Sequence, residues 1–385
     1  MKQLFLKCFL VAIALTSIVS CNNSTKLPKA TEVMAITKRV ADWQLKTYED
    51  QGKYRSLPPK DLRQPWHHRD RYPDQDWVPA SLFTGVYQFS TIAGDDKYVD
   101  WLGQKAKQAG YNLYTRMYHA DDHCIGQLYL SLSEKYNNAE YYAPTQKQFD
   151  EIMASDKADN WHWFWCDALF MSPPVWVRLS KITGDSRYLD YMDKQYHMTY
   201  NRLWNSEESL FYRDNKYKNQ YETNGKGIFW SRGNGWVFGG LAMMIPDMPE
   251  DWQGREFYIN LFKDMAARLK ELQREDGTWS AGLLGDIESY PNIETSGSSF
   301  FTFGLAWGLN NGILDRETYE PTLLKAWNAL VGAVNEDGLF GYVQGVGAAP
   351  GASYPDYTEL YGVGAFLSAG TQMYHYVNNN KKLIE

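Results

Sequence analysis

The segment Trp161-His162-Trp163-Phe164-Trp165-Cys166-Asp167-Ala168-Leu169-Phe170-Met171 sets one carboxylate among four large aromatics. Removal from water disfavours the charged form, so Asp167 in such a wall is expected to keep its proton to higher pH than usual. A carboxylic acid still protonated near neutrality is what general-acid catalysis needs. The plainer alternative is local: Asp before an apolar run is a common helix N-cap. Pro173 and Pro174 then force that helix to kink or to begin late. Asp121 and Asp122 form a second acidic point. Asp122 lies three and seven residues before Ile125 and Tyr129 and shares their helical face. From there a second carboxylate could raise the acid's pKa or position a water. Capping by one of the pair and solvation of the other is the competing reading.

Phe229-Trp230-Ser231-Arg232-Gly233-Asn234-Gly235-Trp236 is the second dense cluster. Arg232 offers a planar donor fork suited to a carboxylate, and Gly233 and Gly235 let backbone approach a ligand closely. It is not a phosphate loop, because no strand precedes it and no Lys-Ser/Thr follows. A Gly-rich turn before a helix explains the same residues. His119, His123, Cys124, His162 and Cys166 raise a metal site, but they lack the tight recurring pairs of zinc ligands. No metal is expected. Cys124 and Cys166 are expected to be free buried thiols rather than a bridge.

These residues must be positioned by helices. Apolar residues recur at i, i+3, i+4 and i+7, as in Ile125, Leu128, Tyr129, Leu132 and Tyr136. Gly, Pro and Asp punctuate the segments. The pattern predicts twelve helices, at 31–50, 79–93, 95–109, 122–136, 145–154, 167–183, 186–202, 234–245, 255–273, 297–310, 315–334 and 358–377. Ile92-Ala93-Gly94-Asp95 is echoed by Ile182-Thr183-Gly184-Asp185, and Glu275-Asp276-Gly277 by Glu336-Asp337-Gly338. Repeated hairpins in an all-α chain predict an (α/α)6 toroid, with loops building the site at one mouth. An open α-solenoid is the alternative, and the long segments 204–233 and 274–296 favour closure.

Taken together, these residues resemble the unsaturated glucuronyl and rhamnogalacturonyl hydrolases, glycoside hydrolase families 88 and 105, with 105 the better match. The carrying motifs are Trp165-x-Asp167-x-Leu169-x-Met171, Thr183-Gly184-Asp185 with Tyr188, Trp230-x-Arg232-Gly233-Asn234-Gly235-Trp236, and Glu294-Thr295-Ser296-Gly297-Ser298. They span about residues 35 to 377. The resemblance implies the (α/α)6 fold, a catalytic acid/base at Asp167 and a supporting carboxylate at Asp122. It places Trp165, Arg232 and Trp236 at the sugar. Where many family 105 members carry a histidine, this chain has Arg213, a second candidate cation for the uronate or the mark of a different linked sugar. The implied reaction hydrates the C4=C5 enol ether of a terminal unsaturated galacturonyl or glucuronyl residue, with no cofactor. The rivals are a lipid-anchored glycan-binding protein and another toroidal enzyme, such as a polysaccharide lyase or an ordinary glycosidase.

Lys2 and Lys7, the apolar stretch Phe9 to Leu15, and Ile18-Val19-Ser20-Cys21 read as a bacterial lipoprotein signal peptide over residues 1–20. Cys21 would carry the lipid and residues 21–30 would tether the catalytic domain, 31–378. The expected location is the periplasm or cell surface, with membrane contact only through the anchor. Loss of the two lysines moves the net charge from −7 to −9. An acidic chain is a poor partner for nucleic acid. Its 15 Trp and 28 Tyr suit an oligosaccharide, since flat aromatic faces stack on sugar C–H surfaces.

Overall fold

The computed structural model describes residues 26–55 and 70–381. The α-helices are α1 (Ala30–Thr47), α2 (Gln51–Tyr54), α3 (Trp77–Ser90), α4 (Lys97–Gln108), α5 (Ala120–His123), α6 (Gly126–Tyr136), α7 (Ala143–Ala154), α8 (Ala168–Met171), α9 (Pro173–Thr183), α10 (Ser186–Leu203), α11 (Ser231–Met244), α12 (Arg255–Glu271), α13 (Thr295–Asn310), α14 (Arg316–Gly332) and α15 (Leu360–Lys381). A small antiparallel hairpin, β1 (Trp204–Asn205) and β2 (Leu210–Phe211), follows α10. The expected signal peptide, residues 1–20, and Cys21 lie outside the described residues.

Six helices close a ring. α3 packs on α6, α6 on α9, α9 on α11, α11 on α13, α13 on α15, and α15 returns to α3. α4, α10, α12, α14 and α1 pack outside α3, α9, α11, α13 and α15. Composition explains the sorting. α13 is buried from Thr295 to Gly308, and such a helix needs no polar stripe. The outer α4 buries Tyr98, Val99, Leu102, Lys105 and Ala106 and turns the rest of its surface outward. Inside the ring some backbones touch. A Cβ on Gly85 would fall 2.0 Å from the Gly364 carbonyl oxygen, and one on Gly364 would fall 2.4 Å from that of Ser81, so only glycine lets α3 and α15 meet.

The expected (α/α)6 toroid is thus the observed fold, and each of the twelve expected helices has a counterpart. Two are broken. The expected 122–136 helix is α5 plus α6, and the expected 167–183 helix is α8 plus α9, with the break at Ser172-Pro173-Pro174. The echoed turns share their geometry: Gly94 and Gly184 have φ of 64° and 71°, and Asp95 and Asp185 each accept from the backbone two residues on. Cys124 and Cys166 are free and buried.

Candidate active site

A cleft of about 660 Å³ opens where the inner helices begin. Its walls include Tyr72, Asp76, Trp77, Tyr114, Arg116, Asp121, Trp165, Asp167, Met171, Arg213 and residues 346–348. Asp76, Trp77, Asp121, Trp165, Asp167 and Met171 stand at or shortly before the start of an inner helix, whereas Tyr72, Tyr114, Arg116, Arg213 and residues 346–348 come from connecting loops.

Asp167 is the N-cap residue of α8, but its side chain makes no capping bond, which leaves the carboxyl free for chemistry. It is only 8% exposed. Burial raises its pKa, opposed by the charges of Arg213 and Arg232 and by its own backbone N–H. Arg213 Nε stands 3.7 Å from Asp167 Oδ2, while Nη1 donates to Asp214 at 2.6 Å. The loop after β2 brings Arg213 there, since the Arg213 carbonyl accepts from the Cys166 N–H at 2.8 Å. Trp165 forms an adjacent wall, its ring 4.7 Å from that of His119.

The neighbouring acids of α5 have different surroundings. Asp122 is 1% exposed and faces Arg116, accepting from its backbone N–H at 2.6 Å and from Nε at 3.0 Å. Asp121 lines the cleft with Asp167. Burial pushes the Asp121 carboxyl up to about 8; Arg116 opposes this, while Asp167, Asp76 and Asp122 reinforce it. His119 Nδ1 lies 3.6 Å from Asp121, and burial together with Arg116 pushes that imidazole down to about 4. Near neutral pH the carboxyl therefore holds the proton and the imidazole is uncharged. Asp76 caps α3 by accepting from Val78 N–H at 3.1 Å and faces the same space.

Two acids raised by burial on one cleft agree with what a family comparison finds. The model of Glycosyl Hydrolase Family 88 matches residues 36–377. The chain belongs to that family. It is a glycosidase. An unsaturated 3S-rhamnoglycuronyl hydrolase from Formosa agariphila is 43% identical over 319 residues, covering 77% of this chain and 84% of that one. A family 88 hydrolase from Bacteroides vulgatus superposes with a TM-score of 0.80 at 28% identity, covering 91% of this chain and all of that one. A protein described as a polysaccharide lyase superposes with 0.79 at 29% identity, covering 91% and 98%.

In this family 88 chain the structure brings Asp167, Trp165 and Arg213 to the cleft, and not Asp122, Arg232 or Trp236. Arg232 is 1% exposed, and its fork donates to the carbonyls of Gln344 and Gly345, both at 2.9 Å, between the Trp230 and Tyr361 rings. Those carbonyls immediately precede residues 346–348 of the cleft wall. Trp236 is fully buried against Trp77, Phe170, Phe300 and Tyr361. Both ring nitrogens of His123 are engaged, by Ser172 Oγ at 2.7 Å and the Met117 carbonyl at 2.8 Å. Among the described residues no three His, Cys, Asp or Glu side chains converge as a metal site. Sequence reasoning missed Asp76, although Asp76-Trp77-Val78 repeats the pattern that singled out Asp167: an acid before an apolar, aromatic helix. Residues 346–348 carried no signal beyond Gly347.

Proposed function

We propose that this glycosidase releases a terminal 4,5-unsaturated uronic acid by hydrating its C4=C5 enol ether, with Asp167 as acid and base. The carrying observation is that Asp167 and Asp121 open onto one cleft and burial raises the pKa of both. Asp167 gives its proton to C4. The positive charge at C5 is shared with the ring oxygen. Water adds at C5 and passes a proton back to the Asp167 carboxylate. The hemiketal opens the ring and the neighbouring sugar leaves. Protonation at C4 differs from the two-carboxylate displacement of ordinary glycosidases.

Asp121, rather than Asp122, is the second carboxyl at the reacting ring, because Asp122 is taken up by Arg116. Arg213 receives the uronate carboxylate. Its Nε has no hydrogen-bond partner among the described residues, and it stands beside the acid, as C5 stands beside C4. Trp165 stacks on the sugar. The name of the Formosa agariphila relative supports a uronate attached to rhamnose. Absorbance of the conjugated double bond tests the reading: incubation with an unsaturated uronyl-rhamnose disaccharide should abolish the band. A polysaccharide lyase, as one structural neighbour is described, would instead create that band from intact polymer.

The export signal supports a lipoprotein anchored through Cys21. Cys21→Ala should abolish labelling by a fatty-acid probe and release the enzyme from membranes; unchanged labelling refutes the anchor.

A further inference from the structure

Cys166 immediately precedes the catalytic acid and is completely buried. Its Sγ lies 3.5 Å from Asp167 Oδ2, in position for the S–H to donate. The backbone holds it there: its N–H is bonded to the Arg213 carbonyl. From α11, Gly233 leaves room for the sulfur, and a Cβ at that glycine would come within 3.0 Å of Sγ. Arg213 Nε approaches the same oxygen, Oδ2, at 3.7 Å. Both side-chain contacts to Asp167 therefore fall on one oxygen of the carboxyl.

We propose that Cys166 is a positioning residue for Asp167: its S–H donates to Oδ2 and so leaves the transferable proton to Oδ1. The inference rests on Asp167 being the acid. A thiol suits the task. It is a weak donor, so it fixes the carboxyl's orientation without the strong stabilisation of the anion that a second cation would give. Burial and the neighbouring carboxylate push the thiol pKa well up, so it stays an S–H donor throughout the working range. The titratable and charged groups around Asp167 are Arg213 and Asp214 from the loop after β2, Arg232 from α11, Asp121 from α5 and the Tyr217 phenol, with Cys166 from its own turn.

The test is the pH profile of kcat/KM for wild type, Cys166→Ala and Cys166→Ser, with Asp167→Asn alongside. The alanine variant loses the donor to the ionised carboxyl. Its alkaline limb should move up by roughly half a pH unit, about a 1.4 kcal/mol scale per full unit, and kcat should fall several-fold. The hydroxyl of the serine variant should return the limb toward wild type. Superposable limbs for wild type and alanine would overturn the proposal. So would an alanine shift that serine does not reverse, which would show that filling the space matters and donation does not. An active Asp167→Asn enzyme would instead refute the acid assignment itself.

Discussion

The two halves of the barrel mouth both carry buried ionisable side chains and behave differently. On one side, α3, α6 and the α8–α9 pair begin beside Asp76, Asp121 and Asp167, whose carboxyls open onto the cleft. On the other, α11, α13 and α15 begin beside Arg232, Glu294 and Glu359, and all three are closed in. Glu294 accepts from the N–H groups of Ser296 and Gly297, both at 2.8 Å, and from the Gln344 N–H at 3.3 Å. Arg232 grips the next two carbonyls of the same strap. Glu359 lies 3.6 Å from Arg55, and burial pushes it up to about 8 against the pull of Arg55 and Arg232. Burial is common to both halves. What separates the two halves is whether the side chain reaches the cleft or is walled off from it. On the closed side Glu294 and Arg232 hold the strap at Gln344 and Gly345, and its next residues, 346–348, become a wall of the cleft.

Substitutions on the two sides should act differently. Asp167→Asn should have the largest effect, a fall in kcat of at least ~100-fold with the fold intact. A loss smaller than tenfold would move the acid elsewhere. Asp121→Asn follows, with about a tenfold to hundredfold loss and a stability signature of its own. The wild-type carboxyl keeps its proton to about pH 8 when folded, against an ordinary value of 3.8. The folded state thus binds more protons between those values, and stability falls as pH rises through that window. Thermal melts of Asp121→Asn should lose part of that slope; parallel pH curves would contradict the burial argument.

On the closed side stability should change before chemistry. Arg232→Lys keeps a charge but loses the fork, leaving one strap carbonyl unpaired, a cost of about 1–3 kcal/mol. Proteolysis within 343–351 should quicken and KM rise several-fold. A large kcat loss with an unchanged melting temperature would return Arg232 to the substrate. Trp236→Phe should cost about 1–3 kcal/mol of stability and leave KM within about twofold; a selective rise in KM would place the indole at the sugar.

The same contrast shows what the sequence makes legible. Helix number, ring closure and the acid in its aromatic wall follow from apolar period, turn residues and Asp167's neighbours, all of which are local. Local pattern cannot say which way adjacent acids face. Asp122 is buried like Ile125 and Tyr129, and the backbone stays right-handed helical through Cys124 and Ile125, but a shared face does not decide which partner a carboxyl meets. Arg116, six residues upstream, then captures Asp122 and leaves Asp121 to the cleft. Arg232 and Trp236 sit in a motif dense enough to signal function, but the partners that occupy them are about 110 residues away at Gln344 and Gly345 or across the ring at Tyr361. Only the closed barrel brings those together.

The most direct test of catalysis at C4 is the reaction in isotopically labelled water. With Asp167 as the proton donor to an enol ether, deuterium should appear at C4 of the released sugar and the first oxygen label at C5. Early sampling is needed because carbonyl oxygens exchange with water, which makes C4 deuterium the firmer readout. Oxygen label found first at C1, with no deuterium at C4, would contradict hydration even if the oligosaccharide were cleaved.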